Sequence, residues 1–195
     1  MTLTKKLPDQ LPDQSTTQHF PIRSAIPLRS DVLWRIEQGV VRTFTWHAEG
    51  TLIVLGYWRV GDVVGQPLSR LCPYEIECLT DVKISALPTN IWDQSLEAVF
   101  IHLQQVEELH CIFRTQSVLE RLKRFLRWLA QKFGHKIEQG WLIDLQLTDQ
   151  EISEAIGVSR ISVMRLLLWL EQENQVIRDR GRFILLQSSD ISWIY

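Results

Sequence analysis

Cysteine is scarce and poorly spaced for metal chemistry. The 195 residues contain only Cys72, Cys78 and Cys111, with no C-x-x-C pair. No disulfide framework and no zinc or iron–sulfur site is expected, and the thiols read as buried and free, with a redox role for Cys72 and Cys78 the lesser alternative. Long apolar runs are missing as well. No stretch approaches the roughly 20 residues that cross a bilayer, and the opening MTLTKKLPDQLPDQ lacks the apolar centre of a signal peptide. A cytoplasmic protein with no membrane partner is expected. An excess of positive charge is also absent: the net charge is −2, which argues against indiscriminate attraction to nucleic acid.

Hydrophobic residues at 45% and charged residues at 23% are ordinary for a globular protein, and the length suits one large or two modest domains. The richest signal lies in TDQEISEAIGVSRISVMRLLLWLE, residues 148–171. Thr148 and Glu151 have the spacing of a capping box, so a first short helix begins there. Ile152, Ala155 and Ile156 form its inward stripe, and Gly157 supplies the left-handed turn that ends it. Ser159 then caps a second helix with Val163, Leu166, Leu167 and Leu170 inward and Arg160, Ile161, Ser162 and Arg165 outward. Two short helices about a glycine turn, with arginines near the start of the second, match a helix-turn-helix whose second helix enters the major groove. Downstream, Val176-Ile177 and Phe183 to Leu186 flank Arg178-Asp179-Arg180-Gly181-Arg182, which predicts a wing with a basic tip placed against phosphates.

From Leu147 through Phe183, and above all at Ser159-Arg160 with Val163 and Arg165, the chain resembles the winged helix of the Crp/Fnr family of bacterial transcription regulators. Many members carry a Glu where this chain has Ile161. That side chain offers only apolar contact, so a family consensus operator does not carry over. The resemblance implies that Thr148, Ser159, Arg160, Ile161, Ser162, Arg165, Arg178, Arg180 and Arg182 bind DNA. Charge distribution agrees: residues 114–182 hold 12 Lys and Arg against 9 Asp and Glu, and the remainder 9 against 14.

Residues 1–18 form a polar arm with a repeated L-P-D-Q. From His19 to about residue 90, short apolar runs separated by turn signals predict a double-stranded β-roll, or jelly roll. Gly39 to Arg42 and Gly61 to Gly65 are similar to the β-roll of cyclic-nucleotide-binding domains that precedes the winged helix in the same family, so the resemblance covers most of the chain. In members that bind cyclic AMP, a Glu follows that glycine and a later Arg pairs with the phosphate. Here Gln66-Pro67 and Tyr74-Glu75-Ile76-Glu77 stand instead, and two glutamates there would repel a phosphate, so cyclic-nucleotide binding is not expected. Iron–sulfur sensing of the Fnr kind is not expected either, because the arm has no cysteine.

Residues 91–116 turn helical. Leu96, Val99, Leu103, Val106, His110 and Phe113 recur at alternating spacings of three and four, a seam on which two copies would pair, with 114–117 as a hinge. His102 and His110 stand about 12 Å apart along such a helix, too far to share a metal. From residue 117 a further helix with a basic face opens the winged-helix domain, 117–195; Arg121 or Arg124 is a candidate phosphate contact.

The expected fold is therefore α+β: an N-terminal β-roll, a long dimerisation helix and a C-terminal winged helix-turn-helix. The expected function is a homodimeric, sequence-specific regulator of transcription that binds double-stranded DNA, without cofactor or metal. RNA polymerase is a candidate partner and an unidentified small molecule a candidate effector. The competing reading is a sensor or regulatory subunit whose winged helix binds protein. A jelly-roll oxygenase is disfavoured, because only His19 and His47 lie in the roll and neither belongs to an H-x-H pattern.

Overall fold

The computed structural model describes residues 17–179 and 181–186. Alternation of inward and outward side chains builds its first half as two facing antiparallel sheets. One has the order β1 (Gln18–Phe20), β7 (Val82–Pro88), β2 (Val32–Gln38), β5 (Val63–Val64); the other has β4 (Leu52–Trp58), β3 (Val41–Trp46), β6 (Glu75–Cys78). Trp34, Ile36, Val41, Trp58, Tyr74, Ile76 and Ile84 fill the space between them. The buried indoles are satisfied, Trp34 Nε1 donating to the Pro27 carbonyl (2.9 Å) and Trp58 Nε1 to Thr43 Oγ1 (3.0 Å).

This packing corrects one sequence-based expectation. Along β6 the side chains alternate, so Ile76 and Cys78 point inward while Glu75 and Glu77 face out of the roll. The glutamates therefore do not confront the interior. Repulsion by them gives no reason to exclude a phosphate from the roll. The thiols also divide: Cys78 is buried, but Cys72 and Cys111 are exposed, because Cys72 lies in a turn and Cys111 on the outer side of a helix.

After a short 3-10 segment, α1 (Leu96–Phe113) crosses the roll, and α2 (Val118–Phe133) follows after a four-residue link. The second half is α2, a hairpin of β8 (Gly134–Ile137) and β9 (Gly140–Ile143), α3 (Asp149–Ile156), α4 (Arg160–Gln172), and the wing strands β10 (Val176–Asp179) and β11 (Arg182–Leu186). Its sheet has the order β10-β11-β9-β8; the β8–β9 hairpin has no counterpart among the sequence-based expectations. No helix among the described residues is long and apolar enough to cross a membrane.

The two halves share one core. Val54, Tyr57 and Leu79 of the roll pack with Phe125, Trp128, Ile152, Val163 and Phe183. Charged groups close the seam around it. Buried Arg42 donates through Nε to Glu77 (2.6 Å) and through Nη1 to Glu154 of α3 (2.7 Å), and Arg23 donates to Glu151. At the other end, Lys132 Nζ lies 3.0 Å from Asp62 and between 5.1 and 5.5 Å from the ring centres of Trp58, Trp128 and Phe133. Burial pushes the Lys132 ammonium down to about 8.

Beside it, the His102 ring of α1 stacks on Trp58 with centroids 3.8 Å apart, and its Nδ1 is 3.0 Å from the Val63 carbonyl. Burial holds His102 neutral, its value lowered from 6.5 to about 4. The unfolded chain takes up this proton first as pH falls. His102 therefore contributes stability that is full above pH 6.5 and lost on descent through about 4, on the order of 3 kcal/mol. Urea midpoints at pH 7.5 and 4.5 should diverge for the wild type and converge by most of that amount in His102→Phe, whose ring retains the stack. Equal pH slopes in both proteins would remove His102 as the cause.

Candidate nucleic-acid interface

Local sequence assembles the reading element in three steps. Thr148 Oγ1 accepts from the Glu151 N–H (3.2 Å) and the Glu151 carboxylate accepts from the Thr148 N–H (2.7 Å), so both halves of the capping box form at the start of α3. Burial pushes the Glu151 carboxyl up, but hydrogen bonds from Arg23 and Thr148 outweigh this and keep it below its ordinary range. Gly157 ends α3 at φ 68, a left-handed conformation in which a Cβ would be strained. Ser159 Oγ then accepts from the Ser162 N–H (3.1 Å), and the two hydroxyls lie 2.9 Å apart, fixing the first turn of α4.

Val163, Leu167 and Leu170 are buried, which leaves Arg160, Ile161 and Arg165 exposed on the outward side. Neither arginine forms an ion pair with a described residue. Their guanidinium forks are thus available to acceptors from outside, in the geometry that suits guanine O6 and N7 or a phosphate.

The wing departs from expectation. Arg178 donates through Nε and Nη2 to the two oxygens of Glu171, both at 2.8 Å, with Asp149 3.8 Å away. The bidentate pair raises the Arg178 guanidinium and lowers the Glu171 carboxyl. Arg178 is therefore a brace between wing and α4 and not a free phosphate ligand. Arg182 is exposed at the start of β11, opposite Asp179 in the ladder. Arg180 lies outside the described residues.

Two further arginines make contacts within the protomer. Arg121 donates through Nε to the Thr115 carbonyl (2.9 Å) and through Nη1 to the Ile156 carbonyl (2.7 Å), satisfying the open end of α3. Arg124 pairs with Glu120 (3.1 Å). Arg121 is thereby committed within the protomer, whereas Arg124 is held only through Nε by this half-exposed pair.

The expected seam on α1 is partly re-addressed. Leu96, Leu103 and Val106 are exposed, as is His110. Val99 instead packs inward toward Leu33, Val63 and Leu87, and Phe113 lies 5.8 Å from Phe125. Phe100, 61% exposed, and Ile101 join the outward surface without belonging to the expected seam. The helix is apolar on more than one side, and both faces satisfy a three-four spacing; only contact with the roll reveals which one the protomer uses itself.

Comparison with known proteins gives a consistent set of likenesses. The sequence model of a Crp-like helix-turn-helix domain matches residues 120–189. Regulatory protein CysR of Synechococcus elongatus is 38% identical over 168 residues, covering 85% of this chain and 81% of its own. The global nitrogen regulator of Synechocystis is 33% identical over 182 residues, 84% of this chain and 78% of its own. A CRP-family transcriptional regulator from Thermus thermophilus, seen in its crystal structure, has the same fold with a TM-score of 0.75 at 23% identity, covering 91% of this chain and 94% of the other.

Proposed function

Since the chain belongs to the Crp/Fnr family of transcription regulators, we propose that it acts as a homodimer that reads a two-part DNA site with α4 and works without bound cyclic nucleotide. The observation that carries this reading is the first turns of α4. Arg160 and Arg165 stand exposed and unpaired with described residues, on a helix start locked by the Ser159 cap. A helix presented this way fits the major groove, and its N-terminal residues meet the base edges.

Pairing of two copies is supported by Leu96, Phe100 and Leu103, which recur at four and three residues along one outward face of α1. A second copy of the same helix would cover them symmetrically. Exclusion of cyclic nucleotide rests on the filled interior of the roll, where Trp34, Trp58 and Tyr74 take up the space. Stacked His102 adds to that filling where α1 meets the roll.

Electrophoretic shift of DNA by the full chain tests the proposal. Replacing Arg160 or Arg165 by Ala should each weaken specific binding by about 1–3 kcal/mol, roughly 5- to 150-fold. Binding should also fall as salt rises. Wild-type affinity in both variants would remove α4 as the reading element and favour a protein-binding role for the winged helix.

A further inference from the structure

We infer that each half of the DNA site contains a thymine whose 5-methyl group packs on Ile161, within two base-pair steps of a guanine held by Arg165. The inference rests on the reading of α4 as a major-groove element.

The two helices of the reader treat apolar side chains differently. α3 buries Ile152, Ala155 and Ile156, whereas α4 leaves Ile161, Met164, Leu168 and Trp169 in solvent. Trp169 is capped by the Lys123 ammonium, 5.3 Å from its ring centre. Ile161, Arg165 and Leu168 follow one another at i, i+4 and i+7 and so share one line along the outward face. Ile161 lies on the first turn, which enters the groove deepest, and at 58% it is the most exposed large hydrophobic side chain among the described residues of the reader.

A bare isoleucine on a groove-facing helix needs an apolar counterpart. The base edges of the major groove offer one, the thymine methyl. Opposite cytosine, Ile161 would instead cover the N4 amine and leave a donor dry; opposite a purine it would leave the N7 acceptor dry. The side chain therefore favours thymine both by contact and by exclusion. Arg165 is four residues on, about 6 Å along the helix, and base pairs stack at about 3.4 Å; a guanine bound by its fork thus falls within two steps. Cation and hydrocarbon alternate along this line, with the hydroxyls of Ser159 and Ser162 beside it. An apolar protein surface would have to desolvate both guanidiniums, while adjacent guanine and thymine edges satisfy both kinds of group.

The test begins by selecting duplexes from a random pool with the full chain. Each thymine of the selected half-site is then replaced in turn by deoxyuridine, which removes the methyl group alone. One position should lose affinity about fourfold per half-site, as expected for one buried methyl. The Ile161→Ala protein should bind the thymine duplex correspondingly less well and be indifferent to uridine at that position. Uniform tolerance of uridine by the wild type, a selected site without thymine near the guanine, or retained uridine sensitivity in Ile161→Ala would overturn the inference while leaving the DNA-reading role intact. Failure to select any sequence would overturn both.

Discussion

Arg42→Ala is expected to lower the stability of the folded protein by about 3 kcal/mol, the lower end of the range for breaking a buried ion pair. Arg42 is 6% exposed and serves two carboxylates at once, Glu77 on the neighbouring strand and Glu154 on α3, whose side chains are each 19% exposed. Alanine would leave both acids charged and without the buried guanidinium, with only Gln150 Nε2 donating to Glu154 (3.0 Å) and Arg23 3.7 Å from Glu77. The residual exposure of the acids lets water offset part of the loss. Neutralising them in the same protein, as Glu77→Gln with Glu154→Gln, should recover a large part of the loss, since unpaired charge is the main penalty. Urea midpoints of the single and triple variants measure this. A single variant within about 0.5 kcal/mol of wild type would mean that water replaces the guanidinium without cost.

The second large effect is on assembly. Phe100→Glu with Leu103→Glu places two charges on the outward face of α1, at positions 61% and 55% exposed in the protomer. The protomer core should be unaffected, because neither side chain belongs to it, but two copies could no longer meet there. Sedimentation should change from dimer to monomer. Affinity for a two-part DNA site should fall about 100-fold or more, since binding of the second reader would no longer be intramolecular. A dimer that survives both substitutions would place the pairing surface elsewhere. By contrast, Val99→Ala should weaken the protomer instead, because Val99 packs on the roll's own Leu33 and Val63.

The helix-turn-helix is legible in the sequence because its determinants are local. Thr148 with Glu151, the left-handed Gly157 and the Ser159 cap each act within three or four residues, and the strands of the roll are marked locally by β-branched and aromatic runs between turn residues. The β8–β9 hairpin escapes such a reading because Gly134–Ile137 and Gly140–Ile143 are too short to display a period. The fate of individual arginines is hidden for another reason. Arg42 and Glu154 are 112 residues apart, and Arg121 and the Ile156 carbonyl 35, so no spacing rule links them, and a basic side chain that props a carbonyl looks in sequence like one awaiting phosphate. Arg178 shows the same ambiguity within the wing itself.

The braces on either side of the shared core have a geometric corollary. Arg42 and Arg23 tie α3 to the roll, and Lys132 with Asp62 ties the end of α2 to it. In the proposed dimer, the length of DNA separating the two half-sites would then be dictated by how the two α1 helices cross. A modest adjustment at that crossing would sweep both recognition edges apart or together, like the jaws of a caliper.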